Sequence, residues 1–570
     1  MNWIVEKPNL KIIKNIMKSY NVSQDIAIII NNYGFLNQED LKRFLAPSSS
    51  NFHDPFLMEG MELAIKRIFR TIESGQKIFV LGDSDADGIS AASLLYEGIK
   101  FFGGEVITYI SNRKEGRGLR RAHVDQAVRH YCDTLITCDC GMNNFESVEY
   151  AKEKNIDIII TDHHFLNNEI PRAYAILNPN QASCKYPFKG LSGSGVALKL
   201  LQGMIKYKNL KTEESQFGIN LALFGTLSDM VPLVDENRLI VKLGLKGLPN
   251  SSNKGIKTLL KNVKIREPIS VLDLSRYVIP KLNSIARIGD PNKVLELLTT
   301  KNQNKLKSIY IELEHSNVKR LNIQKKILAE ANQFIKSKVK LDKDKIIICY
   351  SSNWEYGVLG IIASKLRSQY KKPVVLISFD NFNLGRGSVR SVMEFDLIEV
   401  LNYLNPYLVS YGGHRMASGF RIKKSYFNKF KQALLKYADL KVNNLKSEKS
   451  LSIDLKIRFS EINSTLVRFL KKLEPYGLKN NQPKFMTENI KIIGNPKLTT
   501  NGEHIKFIVK QDNKSFNAIG YGLVHLYELL IKGALLDIVF FIDINRGNEK
   551  DIVQLNIKNI RLSSVNSITK

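Results

Sequence analysis

Val80-Leu81-Gly82-Asp83-Ser84-Asp85-Ala86-Asp87-Gly88-Ile89 sets three carboxylates at alternate positions directly behind an apolar run. Residues 78–81 read as a short buried strand, and residues 90–99 read as a helix beyond a glycine-bounded turn. Three acids crowded at a strand's carboxyl end repel one another. Hard divalent cations, which take oxygen ligands, would neutralise that repulsion. A solvated acidic turn is the competing reading of this stretch alone, so the following segments decide.

Helical and strand patterns alternate on both sides of it. A helix is expected over 61–74, strands over 106–110, 134–137 and 156–160, and a helix over 144–154 with Asn144 at its cap position. The strand over 156–160 is nearly all apolar, as required when both sheet faces are covered. Such alternation predicts an α/β, doubly wound parallel sheet, whose ligands gather beyond the strands' carboxyl ends. Those ends carry Asp139 in Thr137-Cys138-Asp139-Cys140-Gly141, then Thr161-Asp162-His163-His164, and Asp229 in Leu227-Ser228-Asp229-Met230. Singly, each is a cap or turn former. Together Asp85, Asp87, Asp139, His163 and Asp229 offer enough oxygen and nitrogen for two metals sharing a bridging carboxylate. That arrangement serves in-line attack on phosphate esters.

A chain of 570 residues has room for three or four domains, each with its own core. The formal charge of +29 is spread along the chain and favours polyanionic partners. Part of it reflects the abundance of Lys, Asn and Ile that A/T-rich coding produces. No apolar run approaches the ~18 residues of a membrane span, and residues 1–10 lack a signal-peptide pattern. Five cysteines do not suggest a disulfide framework, which points to a reducing cytoplasm. Cys138 and Cys140 have no second pair at zinc spacing and read as packing residues.

Short helices are expected over 9–20, 25–33 and 38–44, an N-terminal cap without visible chemistry. Leu306, Ile309, Leu313, Leu321, Ile327, Leu328, Ala331 and Ile335 follow helical spacing over 303–338, beyond ordinary globular length. A smaller α/β unit spans about 344–440. Within it Gly385-Arg386-Gly387-Ser388-Val389-Arg390-Ser391 and Tyr411-Gly412-Gly413-His414-Arg415-Met416-Ala417-Ser418-Gly419 read as glycine-rich turns whose N–H groups face an anion. Beyond 450 the pattern changes to short strands near 451–457, 490–493, 505–509, 516–519, 535–544 and 553–560. These suit a small all-β, OB-like barrel that binds single strands, although spacing leaves barrel against sandwich open. Lys471, Lys472, Lys479, Lys484 and Phe485 would either track a nucleic-acid backbone or form a solvated basic face.

Asp85-Ala86-Asp87-Gly88, Asp139, Asp162-His163-His164 and Asp229, in that order, resemble the motifs of the DHH phosphoesterase superfamily. The resemblance runs through most of the chain and narrows to the RecJ family of single-strand-specific 5′→3′ DNA exonucleases. It implies a cap (1–54), a DHH catalytic domain (55–250), a connector with a long helix (251–340), a DHHA1 domain (341–445) and an OB-like domain (446–570). Two divalent ions, Mn²⁺ or Mg²⁺, are implied. Asp85 and Asp139 would hold one, and Asp87, Asp139, His163 and Asp229 the other, with Asp83 and Asp162 orienting ligands and His164 touching the phosphate or leaving oxygen. The resemblance assigns Arg113, Arg287, Ser388, Arg390, Ser391, Gly412, Gly413 and His414 to the substrate phosphates. Arg113 lies in Asn112-Arg113-Lys114-Glu115-Gly116-Arg117-Gly118-Leu119, where Arg117 replaces the usual Tyr. Pro280-Lys281-Leu282-Asn283-Ser284-Ile285-Ala286-Arg287 departs at Lys281 and Ala286, and Ser418 is a further departure. The implied partners are single-stranded DNA, a single-strand-binding protein and a RecQ-type helicase, in repair and recombination, with no membrane. The alternatives are another DHH phosphodiesterase, acting on short oligoribonucleotides or cyclic dinucleotides, and a weakened single-strand binder.

Overall fold

The computed structural model describes residues 2–564 apart from 36, 113–115, 117, 166–168, 211–217, 266, 394, 442–449, 501, 532 and 547–550. It opens with a strand, β1 (Asn2–Val5), ahead of helices Leu10–Tyr20, Gln24–Asn32 and Gln38–Leu45. Asn9 starts the first helix by accepting the Lys11 and Ile12 N–H groups.

Five parallel strands follow: β2 (Lys77–Gly82), β3 (Glu105–Ile110), β4 (Cys132–Cys138), β5 (Asp157–Thr161) and β6 (Ala175–Leu177). Their order is β3-β2-β4-β5-β6. The chain therefore leaves β2 on one side and returns to its other side, so the sheet's switch point lies between β2 and β4. Asp83 to Asp87 follow β2, and Asp139 follows β4. Helices Ala86–Phe101 and Gly193–Tyr207 cover one face, and Arg121–Arg129 and Phe145–Glu153 the other. The helix after β2 starts earlier than the glycine-bounded turn suggests. Asp85 is its N-cap and accepts the Asp87 and Gly88 N–H groups at 3.0 and 3.3 Å, so the acids occupy the first turn. Asn144 stands at a cap position but uses its carbonyl oxygen on the Leu119 N–H instead.

The long helix is Gln303–Lys338. Leu306, Ile309 and Leu313 are buried in the core of the parallel-sheet domain, whereas Ile327, Ala331 and Ile335 belong to the core of the next unit. One rigid element thus carries both halves. The second unit is a mixed sheet of β7 (Ile347–Ser351), β8 (Val374–Phe379), β9 (Leu384–Arg390), β10 (Ser410–His414) and β11 (Ala417–Lys423), in the order β10-β11-β9-β8-β7. The glycine-rich segments are strands here, not anion-facing turns. β9 pairs with β8 and β11, so its N–H groups are spent in the ladder. Gly387 is required because the Phe420 ring lies where a Cβ would stand. Of the two glycine-rich segments, only that of β10, an exposed edge strand, keeps an unpaired side.

The C-terminal strands are β12 (Ser450–Ile453), β13 (Leu455–Lys456), β14 (Phe485–Leu498), β15 (His504–Gln511), β16 (Lys514–Tyr521), β17 (Leu536–Arg546) and β18 (Asp551–Leu562). β14 pairs with both β15 and β17, closing β14-β15-β16-β18-β17 into a five-stranded barrel. Phe485 is fully buried and stacks on Phe540 at 6.0 Å, so it is a core residue and does not face a groove. β1 pairs in parallel with β12, and Ile13, Ile16 and Ile26 share the barrel's core with Leu466, Leu470 and Phe485. The N-terminal segment is built onto the C-terminal barrel.

Arg238 fastens this assembly to the catalytic half. Its guanidinium is buried over the Phe44 ring (3.8 Å) and donates to the carbonyls of Phe44, Lys472, Leu473 and Glu474 at 2.8–3.2 Å. Burial lowers its pKa to about 10, since the charge is matched mainly by carbonyl dipoles. Arg238→Met takes this donor from the Phe44 and Glu474 carbonyls, while Asn480 and Lys242 still donate to Leu473 and Lys472; each part-buried carbonyl left unmet costs about 1–3 kcal/mol. A lower melting temperature and faster proteolytic release of the barrel are expected; unchanged melting would show that the seam is not stabilising.

Candidate active site

Each acidic side chain in the switch-point cleft is placed by local backbone. Asp87 is buried and accepts the Gly193 and Ser194 N–H groups at 2.7 and 2.9 Å, at the start of helix Gly193–Tyr207. A helix N-terminus suits a carboxylate. A Cβ at Gly225 would collide with the Asp87 carboxylate, so that residue has to be small. Asp139 takes a left-handed backbone (φ 61°) immediately after β4, which turns its carboxylate into the cleft. Asp162 accepts the His163 and His164 N–H groups at 2.8 and 3.2 Å and His164 Nδ1 at 2.7 Å. Asp229 ends helix Ile219–Ser228.

These groups converge. Ligand atoms of Asp83, Asp85 and Asp139 lie within 4.8 Å of one another, as do those of Asp87, His163 and Asp229, and those of Asp139, His163 and His164. Asp139 Oδ1 and His163 Nε2 are both buried and face each other at 3.1 Å, yet neither makes a hydrogen bond. Two orphaned ligand atoms aimed at one another suit a cation between or beside them. Energetics agree. Like charges about 4 Å apart repel by about 4 kcal/mol at the dielectric appropriate to proteins, whereas a helix terminus returns at most ~2.

The strain shows in the titration behaviour. Burial pushes Asp139 well above the usual carboxylate range, and the Asp87 and Asp85 charges add to it. Burial also raises Asp87, with His163 opposing and Asp85 adding. Burial and the Asp87 charge raise Asp229 to about 7. Burial disfavours charge on His164, but the Asp162 hydrogen bond and the Asp162 and Asp139 charges outweigh it, giving about 9. Asp162 is correspondingly low, because His164 overcomes its burial.

The second half closes the other wall. The His414 ring, on edge strand β10, lies parallel to His164 with centroids 6.4 Å apart. Gly412 and Gly413 are exposed beside it, and nothing lies within 4 Å of a Cβ at Gly412. Arg390 ends β9 and donates to Ser388 Oγ at 3.3 Å and the Val389 carbonyl at 2.8 Å. Arg287 donates to the Gly357 carbonyl at 3.2 Å. Ser391 is not brought to the wall: it is fully buried, with its hydroxyl on the Phe395 carbonyl. Arg113 and Arg117 lie outside the described residues.

Three segments of the chain match known domain families. Residues 77–226 match the DHH family N-terminal domain, 343–440 the DHHA1 domain and 453–559 the RecJ OB domain. The single-stranded-DNA-specific exonuclease RecJ of Bacillus subtilis is 30% identical over 99% of this chain and 71% of its own length. The chain belongs to the RecJ family. The Haemophilus influenzae RecJ is 29% identical over 90% of this chain and 92% of its own. The crystal structure of RecJ from Thermus thermophilus in complex with Mn²⁺ has the same fold, with TM-score 0.83 and 23% identity over 98% of this chain and 79% of its own.

Lys281 pairs with Glu314 on the long helix, so it ties the two helices together. Ser418 is buried and donates to the His414 carbonyl at 2.9 Å, fixing β10 at its histidine. Sequence reading missed Asn178 and Asn180, which donate to the His164 and His163 carbonyls at 2.9 and 2.6 Å. A polar Asn-Pro-Asn directly after an apolar strand was the available signal. Asp83 also clusters with Asp85 and Asp139 and is as well placed for a cation as for orienting a ligand.

Asp139→Asn removes one buried charge while keeping the shape. In EDTA this variant is expected to melt a few degrees above the parent. Divalent metal should stabilise the variant less than the parent. A lower melting temperature in EDTA would contradict the repulsion described here.

Proposed function

We propose that this chain is a metal-dependent 5′→3′ exonuclease that degrades single-stranded DNA to 5′-mononucleotides in repair and recombination. The observation carrying this is the convergence of five carboxylates and His163 at the switch point, opposite His414 of the second half. Asp85 and Asp139, with Asp83 beside them, would hold one divalent ion, and Asp87, Asp139, His163 and Asp229 the other. Mn²⁺ or Mg²⁺ suits so oxygen-rich a donor set. When bound, two such ions would provide a water nucleophile at neutral pH and offset charge building on the phosphate.

The chain's own residues do the rest. His164 is held by Asp162 through Nδ1, which leaves its other ring nitrogen for the phosphate or the departing 3′-oxygen. His414, Gly412 and Gly413 line the opposite wall, where exposed edge-strand N–H groups and a ring nitrogen can take phosphate oxygens. Arg113, Arg287 and Arg390 would offset charge on the strand, with Ser388 orienting Arg390 and Ser391 fixing the loop behind it. A cleft between two halves fixed on one long helix admits a single strand more readily than a duplex.

The proposed division is a cap (1–54), DHH domain (55–250), connector (251–340), DHHA1 domain (341–445) and OB-like domain (446–570). The high net positive charge supports a nucleic-acid substrate. No helix among the described residues is long and apolar enough to cross a membrane. A cytoplasmic setting and cooperation with a single-strand-binding protein and a RecQ-type helicase complete the reading.

The test is hydrolysis of a 5′-labelled single-stranded oligodeoxynucleotide with Mn²⁺, Mg²⁺ or EDTA, beside matching duplex and RNA. Labelled mononucleotide should appear from single-stranded DNA only. EDTA should abolish it, and Asp139→Ala should reduce it by at least about a hundredfold. Binding without cleavage would leave a single-strand binder; cleavage confined to very short RNA would indicate an oligoribonuclease. Arg390→Ala is expected to raise KM more than it lowers kcat, and the reverse pattern would remove Arg390 from substrate binding.

A further inference from the structure

Asn283 sits on helix Ile279–Ile288, outside the parallel sheet, yet reaches two of its acid-bearing turns at once. Its Oδ1 accepts the Ala86 N–H at 3.0 Å, and its Nδ2 donates to Ser228 Oγ at 3.0 Å. Ala86 separates Asp85 from Asp87, and Ser228 immediately precedes Asp229. One half-buried amide therefore spans two turns whose carboxylates face the same cleft. Ligand atoms of Asp87 and Asp229 lie within 4.8 Å of each other.

The surroundings suit a brace. The helix carrying Asn283 is locked from behind by the Lys281–Glu314 ion pair to the long helix. Further along the connector, Asn292 accepts the Ile110 N–H at 2.8 Å and donates to the Ile110 carbonyl at 3.3 Å. The residue after Ile110, Ser111, directs its hydroxyl at Asp83 Oδ1, 3.4 Å away. The connector thus grips the ends of β2 and β3 and the end of helix Ile219–Ser228 through side-chain amides. Amides add no charge to the cluster, and each can donate and accept at once.

We infer that Asn283 is a positioning residue: through Ala86 and Ser228 it fixes the separation of the Asp85/Asp87 turn from Asp229, and thereby the site's affinity for divalent cations. This rests on the metal-dependent reading of the site. Without cations the carboxylates push the turns apart and the brace opposes them. With cations the preset spacing avoids reorganisation on binding. Residues that orient ligands in this way typically change metal affinity by about 10–100-fold.

The experiment measures Mn²⁺ affinity by calorimetry and the Mn²⁺-induced rise in melting temperature for the full chain, without DNA. The variants are Asn283→Ala, Ser228→Ala, Ser228→Thr and the double alanine variant. Mn²⁺ should bind Asn283→Ala and Ser228→Ala roughly tenfold or more weakly than the parent. Ser228→Thr, which keeps the hydroxyl, should restore affinity, and the double variant should be no weaker than the poorer single one. Melting in EDTA should fall as well, since the brace no longer opposes the repulsion. Variants that bind Mn²⁺ as the parent does, or that lose only stability in EDTA, overturn the inference. If Asn283→Ala does not fold, the Ser228→Ala and Ser228→Thr pair decides alone. A parent chain that binds no Mn²⁺ overturns the metal reading itself, and is told apart from failure of the brace by that fact.

Discussion

Mutual repulsion of buried carboxylates is the constraint around which this molecule is built. Asp83, Asp85, Asp87, Asp139 and Asp229 crowd one cleft, where like charges about 4 Å apart repel by about 4 kcal/mol. The fold answers with backbone dipoles. Asp87 takes the first N–H groups of helix Gly193–Tyr207, Asp85 caps its own helix, and Asp162 takes two N–H groups and a histidine. Asp139, in a left-handed backbone and with an orphaned oxygen, keeps the largest unmet demand. That demand is the functional asset, because strain of this kind is relieved by cations.

Around this centre the connector does more than link. The long helix carries both catalytic halves, and the helix in front of it touches the acidic turns through Asn283 and the second half through Arg287. Farther out, the N-terminal segment and the barrel form one body, joined by β1–β12 pairing and a common core. Arg238 holds that body to the catalytic half by donating to carbonyls from the cap and from the segment leading into β14. The barrel and the catalytic half are thus joined through one buried guanidinium.

Much of this was legible in the residues. Alternating helical and strand periods identified the parallel sheet, because strands covered on both faces are continuously apolar. Acids and histidines at strand ends, in order, pointed to the residues that the fold brings together, and the resemblance of most of the chain narrowed it to the RecJ family. The long helix followed from sustained apolar spacing. Less legible was the glycine-rich second unit. Gly385 and Gly387 suggested turns by composition, but they belong to a strand whose glycines make room for Phe379 and Phe420. Local propensity does not report a ring arriving from a distant strand.

The sequence alone determined the elements, the donor set and the likeness to a family of nucleases, since these depend on residue type and on spacing within a few turns. Only the tertiary structure decided that the barrel closes, that Phe485 is core and that the cap belongs to the barrel. It alone revealed that Asn178, Asn180 and Asn283 hold the histidines and acids in place. Each of these rests on hydrogen bonds or packing between residues tens to hundreds of positions apart. An asparagine's donors and acceptor gain meaning only from the partner that folding brings to them.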